Sequence, residues 1–334
     1  MMSLSSSGPM IRMGVDVGGT KVAVLVAREG QEIARTIRPT RLESPEQTLN
    51  GIVDTMREAV AQSGVEMREV AAIGIGIPGR VSPADGSVQL AVNLNWKNMP
   101  VGSAITQRLG VPCFLENDVR TAALGVKYHP KFAQFNDLAF LSIGTGIAAG
   151  IILGGALHRG QSGMAGEIGH IPVDTEGERC PCGGVGCLET VAAGPALERL
   201  MRSALVKQNG KDAPRPLSAG QIFQMAASGE TTAQAVIRQV SQYWGWTIRL
   251  LVFSYDVQAV VLGGGVARGT GFLSTLLQEI DRQRQESDLA WTMLRPEMLH
   301  LVPAEYEAPL WGAIALADAG LQHHSQGIRR SPAI

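Results

Sequence analysis

Hydrophobic positions along the chain fall into two periods. IRMGVDV and VAVLVA are apolar runs of strand length, split by the turn GGTK, and a third run lies around EIARTI. An amphipathic helix is predicted over 45–63, followed by VAAIGIGIPG, which reads as a buried strand. After a loop through Trp96, helical spacing at 101–109 leads to strand PCFLEN and to a helix starting near Asp118. Helices alternating with apolar strands predict an α/β layer architecture.

A second region begins near Leu138 and repeats this order: VDVGGTKVAVLV and LSIGTGIAAGIIL are both strand, small-residue turn, strand. The pattern predicts a duplicated fold with a cleft between the halves, against the alternative of a chance likeness between two glycine turns. A long helix is expected over 231–252, where Tyr243, Trp244 and Trp246 read as core or subunit contact, before strand AVVLGGG. The stretch 208–216 reads as a loop, and a last helix over 309–320 precedes a polar tail that frays.

The stretch 138–157 carries no charge and is long enough to cross a bilayer. Gly144, Gly146, Gly150, Gly154 and Gly155 cut it into strand-sized pieces, so it reads as a buried hairpin. MMSLSSSGPM lacks the apolar stretch of a secretion signal, and the expected location is the cytoplasm.

With 334 residues, 45% of them hydrophobic, the chain can bury two cores. Lys plus Arg is 29 against 30 Asp plus Glu, so no net field would hold nucleic acid or an acidic membrane surface, and a small, locally positioned ligand is the expected partner. Forty glycines exceed the usual share of about 7% and suggest tight turns or close approach of backbone to a ligand.

Cysteine use is uneven. Cys113 stands apart, whereas Cys180, Cys182 and Cys187 fall within eight residues, ten positions after His170. Cys180-Pro-Cys182 is too tight to close on itself as a disulfide. Three thiolates and an imidazole complete a tetrahedral zinc set with no open position, which makes the metal structural; the alternative is three reduced thiols packed in a glycine-rich turn. DVGGTK brings glycine N–H groups, Thr20 and Lys21 to a turn that serves either as an anion cradle or as a plain hairpin. SIGTG at 142–146 and LGGGVARG at 262–269 are two further turns after apolar strands, and the three together fit a nucleotide clamped between halves. Asp118 follows Glu116-Asn117 at a strand's carboxyl end, where it is either a base or the helix N-cap. Glu167 of AGEIGH and Glu189 of CLE flank the cysteine loop, as surface carboxylates or as parts of an ordered polar site.

Together these residues resemble the ROK family of repressors, open reading frames and sugar kinases. The resemblance runs from about residue 11 to 320; its most specific part is EIGH followed by CPCGGVGCLE, with DVGGTK, GIPGRV, VNLNW, LENDV and LGGG in the same order. It implies a duplicated actin-like (ribonuclease H-like, hexokinase-like) two-domain α/β fold. A small domain would cover 10–121, completed by the helix at 308–322; a large domain with the zinc loop would cover 122–307, with flexible tails at 1–9 and 323–334. The implied activity is transfer of phosphate from ATP to the 6-hydroxyl of a hexose, glucose first, with Mg²⁺, structural Zn²⁺ and a homodimer; polyphosphate and ADP are alternative donors. By the same resemblance Asp118 is the general base. Asn117, Glu167, His170 and Glu189 contact sugar, with Gly79, Arg80 and Asn93 as additions. Asp16, Gly18, Gly19, Thr20 and Lys21 form the first phosphate segment, Thr145 and Gly146 the second, and Gly264 and Gly265 the adenosine side. Asp16 would hold Mg²⁺ through water. His170 would turn one ring nitrogen to zinc, beside Cys180, Cys182 and Cys187, and the other to sugar.

One departure stands at Ala148 and Ala149, where the family commonly has glycines after GTG: two added Cβ atoms restrict the backbone beside the nucleotide and remove no donor. The rival acceptor is an N-acetylhexosamine; Glu167 argues against N-acetylmannosamine, for which relatives often carry histidine there. The rival class is a sugar-responsive repressor, which needs a helix-turn-helix module where about ten residues precede the first strand here.

Overall fold

The computed structural model describes residues 10–209 and 216–325; the tail expected at 1–9, most of the tail expected at 323–334 and most of the loop at 208–216 lie outside these residues, while 323–325 continue the last helix instead of opening the tail. The elements are β1 (Ile11–Val17), β2 (Lys21–Arg28), β3 (Gln31–Pro39), α1 (Pro45–Ser63), β4 (Val70–Ile77), β5 (Arg80–Ser82), β6 (Ser87–Ala91), β7 (Trp96–Met99), α2 (Val101–Leu109), β8 (Cys113–Asn117) and α3 (Asp118–Tyr128). Then come β9 (Leu138–Ile143), β10 (Ile147–Leu153), β11 (Ala156–His158), α4 (Leu188–Ala192), α5 (Gly194–Asn209), α6 (Ala219–Ala227), α7 (Thr231–Tyr255), β12 (Ala259–Gly263), α8 (Phe272–Arg284), α9 (Asp288–Met293), β13 (Leu299–Leu301) and α10 (Ala308–Ser325).

The chain divides into two compact units. The first runs through Gln134 and takes back Arg159–Met164 and the chain from Glu307 on; the second holds Phe135–His158 and Ala165–Tyr306. This division falls after α3, later than residue 121, because α3 packs along α10 and against β4.

Sheet order in the first unit is β3-β2-β1-β4-β8, antiparallel on the β2 side and parallel on the β4 side. The second unit's sheet runs β11-β10-β9-β12-β13 with the same senses at every pairing. Two unrelated glycine turns would not generate matching order and direction across five strands, so the duplication read from those turns is a property of the fold. The uncharged stretch 138–157 is β9, β10 and β11, as its glycines predict, and no described helix is long and apolar enough to cross a membrane.

Each sheet has its own core. In the first unit α1 starts on Ser44, whose hydroxyl accepts from Gln47 N–H, with Pro45 in the first turn, and it buries Leu49, Ile52, Val53 and Met56 against the sheet. The sheet's other face meets α10 through glycine. Gly14 and Gly74 pair across β1 and β4, and a Cβ on them would lie 2.4 Å from the Leu310 carbonyl oxygen and 1.9 Å from that of Ala313. Gly125 on α3 faces the Ala308 carbonyl, and Gly312 faces that of Thr121, in the same way. Part of the glycine excess therefore serves helix-on-sheet and helix-on-helix contact, a use that the expectation of turns and ligand approach did not include.

In the second unit Trp244 on α7 is buried, donates to the Ala192 carbonyl at 2.9 Å and packs with Phe223 and Phe272. It is core. The expected loop through Trp96 is instead a three-stranded antiparallel sheet, β5-β6-β7, whose strands are too short for periodicity to announce.

Candidate active site

The first unit gathers its candidate residues at the carboxyl ends of β1 and β8. Residues 18–20 make a tight hairpin, with Gly18 N–H donating to the Lys21 carbonyl at 2.8 Å. Thr40 braces it from β3's end by donating from Oγ1 to the Gly18 carbonyl at 2.6 Å. Asn93 packs beside it, 3.5 Å from where a Gly19 Cβ would be, and remains exposed. The turn is thus a hairpin in form, and its Gly19, Thr20 and Lys21 are open to solvent to different degrees.

Asp16 is the last residue but one of β1, just before this turn. Its carboxyl is pushed up to about 7, first by burial and next by the charge of Asp118; Lys21 pulls the other way and Glu307 adds to the rise. Glu307, at the entry to α10, was not anticipated, because nothing local in the sequence links it to β1. A carboxylate crowded by other carboxylates beside a glycine turn has the donor chemistry of a hard-cation site, so Asp16 fits the role expected for Mg²⁺.

At β8 the strand ends on Asn117, and this residue caps α3. Its Oδ1 accepts from Val119 N–H at 3.0 Å and Arg120 N–H at 3.2 Å, while its Nδ2 donates to the Gly79 carbonyl at 3.2 Å. Asn117 is thus the N-cap, and Asp118 sits in the first helical turn, where its Oδ1 also accepts from Val119 N–H at 2.9 Å. Asn117 is buried and largely committed to backbone partners, which makes it a brace for the loop. Gly79 has φ +98° and a Cβ there would lie 2.2 Å from the Leu90 carbonyl oxygen, so only glycine serves; Arg80 beside it is exposed. Beneath the loop, buried Glu116 pairs with Arg120 at 2.9 Å and with Arg159 at 2.6 Å. Glu116 and Arg120 stand at helical spacing that the sequence displays; Arg159 gave no signal.

The second unit assembles its own set. His170 ends a single 3₁₀ turn that begins after Glu167, and its ligand atom lies with those of Cys180, Cys182 and Cys187 within 4.8 Å of one another. Nδ1 is the nitrogen turned to Cys180, at 3.5 Å from Sγ, which leaves Nε2 for another partner. The loop that achieves this is held by Cys180 N–H to the Gly184 carbonyl and Gly183 N–H to the Cys180 carbonyl, both 2.9 Å. It also needs Gly186, where a Cβ would lie 1.5 Å from the Asp174 carbonyl oxygen. Burial pushes the Cys187 thiol up to about 12 and raises Cys180 as well, while a backbone hydrogen bond at Gly184 lowers exposed Cys182. Three thiol sulfurs and one imidazole nitrogen converging this closely are a donor set that fits a tetrahedral zinc.

Glu189 leaves this loop in the first turn of α4, and its Oε2 accepts from Ile147 N–H at 3.1 Å. A Cβ on Gly146 would lie 2.3 Å from that oxygen. The carboxylate therefore rests on the 144–146 turn, where Thr145 is exposed. That turn in turn meets the 264–266 turn: Val266 N–H donates to the Ile143 carbonyl at 3.0 Å, and Gly194 N–H, at the start of α5, donates to the Gly144 carbonyl at 2.8 Å. Gly264 has φ +89°, and Gly265 has open space around its Cβ position. Ala148 and Ala149 lie beyond the turn, in regular β10 pairing with Ser142 and Leu141, and neither has positive φ. Their added methyls leave the turn itself untouched.

Comparison with known proteins gives a consistent picture. The pattern of the ROK family matches residues 12–319. A xylose repressor of Caldicellulosiruptor bescii is 29% identical over 81% of this chain and 70% of its own length. A glucokinase of Thermotoga maritima is 30% identical over 80% of this chain and 86% of its own. The crystal structure of a ROK family glucokinase from Streptomyces griseus in complex with glucose and AMPPNP is 30% identical and superposes with a TM-score of 0.74 over 93% of this chain and 100% of that one.

Proposed function

The chain belongs to the ROK family, and we propose that it transfers the γ-phosphoryl group of ATP to the 6-hydroxyl of a hexose, glucose first. The observation that carries this reading is the closeness, within one unit, of two carboxylates: Asp118 in the first turn of α3, and Asp16 just before a glycine turn, whose proton affinity the Asp118 charge raises. A binding module needs neither. The likeness to a glucokinase crystallised with glucose and AMPPNP supports the same pair of ligands here.

In this reading Asp118 accepts the proton of the 6-hydroxyl as that oxygen forms its bond to the γ-phosphorus, and ADP leaves with the electrons of the broken P–O bond. Phosphoryl transfer asks the protein chiefly for alignment and charge placement. Glu167, Glu189 and His170 Nε2 would grip ring hydroxyls. Gly18, Gly19, Thr20 and Lys21, with Thr145 and Gly146, would receive phosphates, and Gly264 and Gly265 would lie along the adenosine. Mg²⁺, held through water by Asp16, would neutralise phosphate charge when bound. Zn²⁺ on His170, Cys180, Cys182 and Cys187 would hold the Glu167 and Glu189 segments in place.

N-acetylhexosamines are the rival acceptors, and likeness to a xylose repressor favours a second reading, a sugar-responsive regulator. A coupled assay with ATP over hexoses and N-acetylhexosamines separates them. A sugar phosphate at rates of order 1–10³ per second supports the kinase and names its acceptor. Sugar binding with no phosphorylation of any panel member, from ATP or polyphosphate, supports the regulator.

A further inference from the structure

Glu116 is fully buried one residue before Asn117, and both of its oxygens are engaged. Oε1 accepts from Arg120 Nε and from the Asn117 backbone N–H, each at 2.9 Å; Oε2 accepts from Arg159 Nε at 2.6 Å. Arg120 lies in the first turn of the helix that Asn117 caps. Arg159 comes from elsewhere: it opens the short segment Arg159–Met164 that leaves β11 and returns to the first unit, 43 residues along the chain from its partner. Its side chain is 42% exposed, whereas those of Glu116 and Arg120 are 0% and 2% exposed.

We infer that Arg159 is a positioning residue for phosphoryl transfer, acting through Glu116 on the peptide that carries Asp118; this rests on the kinase reading above. A carboxylate is planar, so holding Oε2 sets the direction of Oε1. Oε1 in turn holds the N–H of Asn117, and Asn117 fixes the helix start by its side chain and accepts from Thr121 Oγ1 at 2.8 Å by its carbonyl. The next residue is Asp118. Without Arg159, Oε2 becomes a buried anionic oxygen lacking that partner, a costly state relieved by turning the carboxylate or admitting water. Either response loosens the Asn117 N–H bond. Arg120 keeps its pair, and the half-exposed Arg159 side chain leaves no core cavity, so the fold survives the change.

The test compares wild type, Arg159→Ala and Arg159→Lys for kcat, sugar KM, melting temperature and hydrogen exchange at the Asn117 amide. For Arg159→Ala we expect kcat to fall about 10- to 100-fold with sugar KM held within about threefold, as for a misplaced catalytic group. The melting temperature stays near wild type, and the Asn117 amide exchanges faster. Arg159→Lys lies between, and millimolar ethylguanidinium restores part of the Arg159→Ala rate. Unchanged kcat, unchanged Asn117 exchange, or a loss of rate matched by a loss of folded protein overturns the inference. The two readings fail separately: wild type that phosphorylates no sugar defeats the kinase reading, while the exchange measurement still judges the link from Arg159 to Asn117.

Discussion

Asp16 supplies a prediction whose size follows from its surroundings. Burial and the Asp118 charge bring its carboxyl up to about 7, so near neutral pH a proton competes with any cation for it. With a midpoint of about 7 the ionised fraction rises from about one in eleven at pH 6 to about ten in eleven at pH 8, a tenfold gain in apparent affinity for a ligand that needs the anion. An ordinary carboxylate, already ionised throughout, would give no change. The assay is calorimetric binding of Mg·ATP without sugar, in excess Mg²⁺, from pH 5.5 to 8.5. Asp118→Asn removes the second largest cause of the rise, so in that variant the midpoint moves down. The fold carries the opposite dependence: a group protonated more readily when folded stabilises fully below its unfolded value near 3.8, and that contribution is lost as pH rises through about 7. Unliganded protein should therefore lose stability across this window, and Asp16→Asn should not. Affinity flat between pH 6 and 8, or a midpoint indifferent to Asp118→Asn, would refute the placement of a cation at Asp16.

Three further outcomes are expected. Asp118→Asn should lower turnover by about 10²- to 10⁴-fold with sugar binding retained in calorimetry, and near-normal turnover would remove it from the base role. Gly74→Ala, whose Cβ would lie 1.9 Å from the Ala313 carbonyl oxygen, should cost about 1–3 kcal/mol or more in denaturant unfolding; a neutral result would mean that α10 can retreat from β4. Purified chain should hold one zinc, and Cys187→Ser should lose it and raise sugar KM more than ATP KM; folded protein with far less than one zinc per chain would contradict the ligand set.

What the sequence displays, and what it conceals, follows from chain separation. The cysteine loop, the glycine turns and the main strands announce themselves because their determinants lie within a few residues of one another. The choice between Asn117 and Asp118 as cap does not, since both residues cap helices well. Sheet register settles it: Asn117 pairs with Ile77 as the last residue of β8, so it becomes the half-extended residue at the helix start and Asp118 enters the helix. The glycines of β1 and β4 are concealed for the same reason, because the carbonyls that exclude a Cβ belong to α10, more than two hundred residues away. Glu307 reaches Asp16, and Arg159 reaches Glu116, only after folding. The turns that would receive phosphate are thus written locally, whereas the proton affinity of Asp16 depends on burial and on Asp118 and Glu307, and the grip on Glu116 comes from Arg159, all of which require the folded chain. Transplanting the local motifs alone would therefore carry over the cysteine loop and the hairpins but not the burial of Asp16, its charged neighbours Asp118 and Glu307, or the Arg159 contact to Glu116.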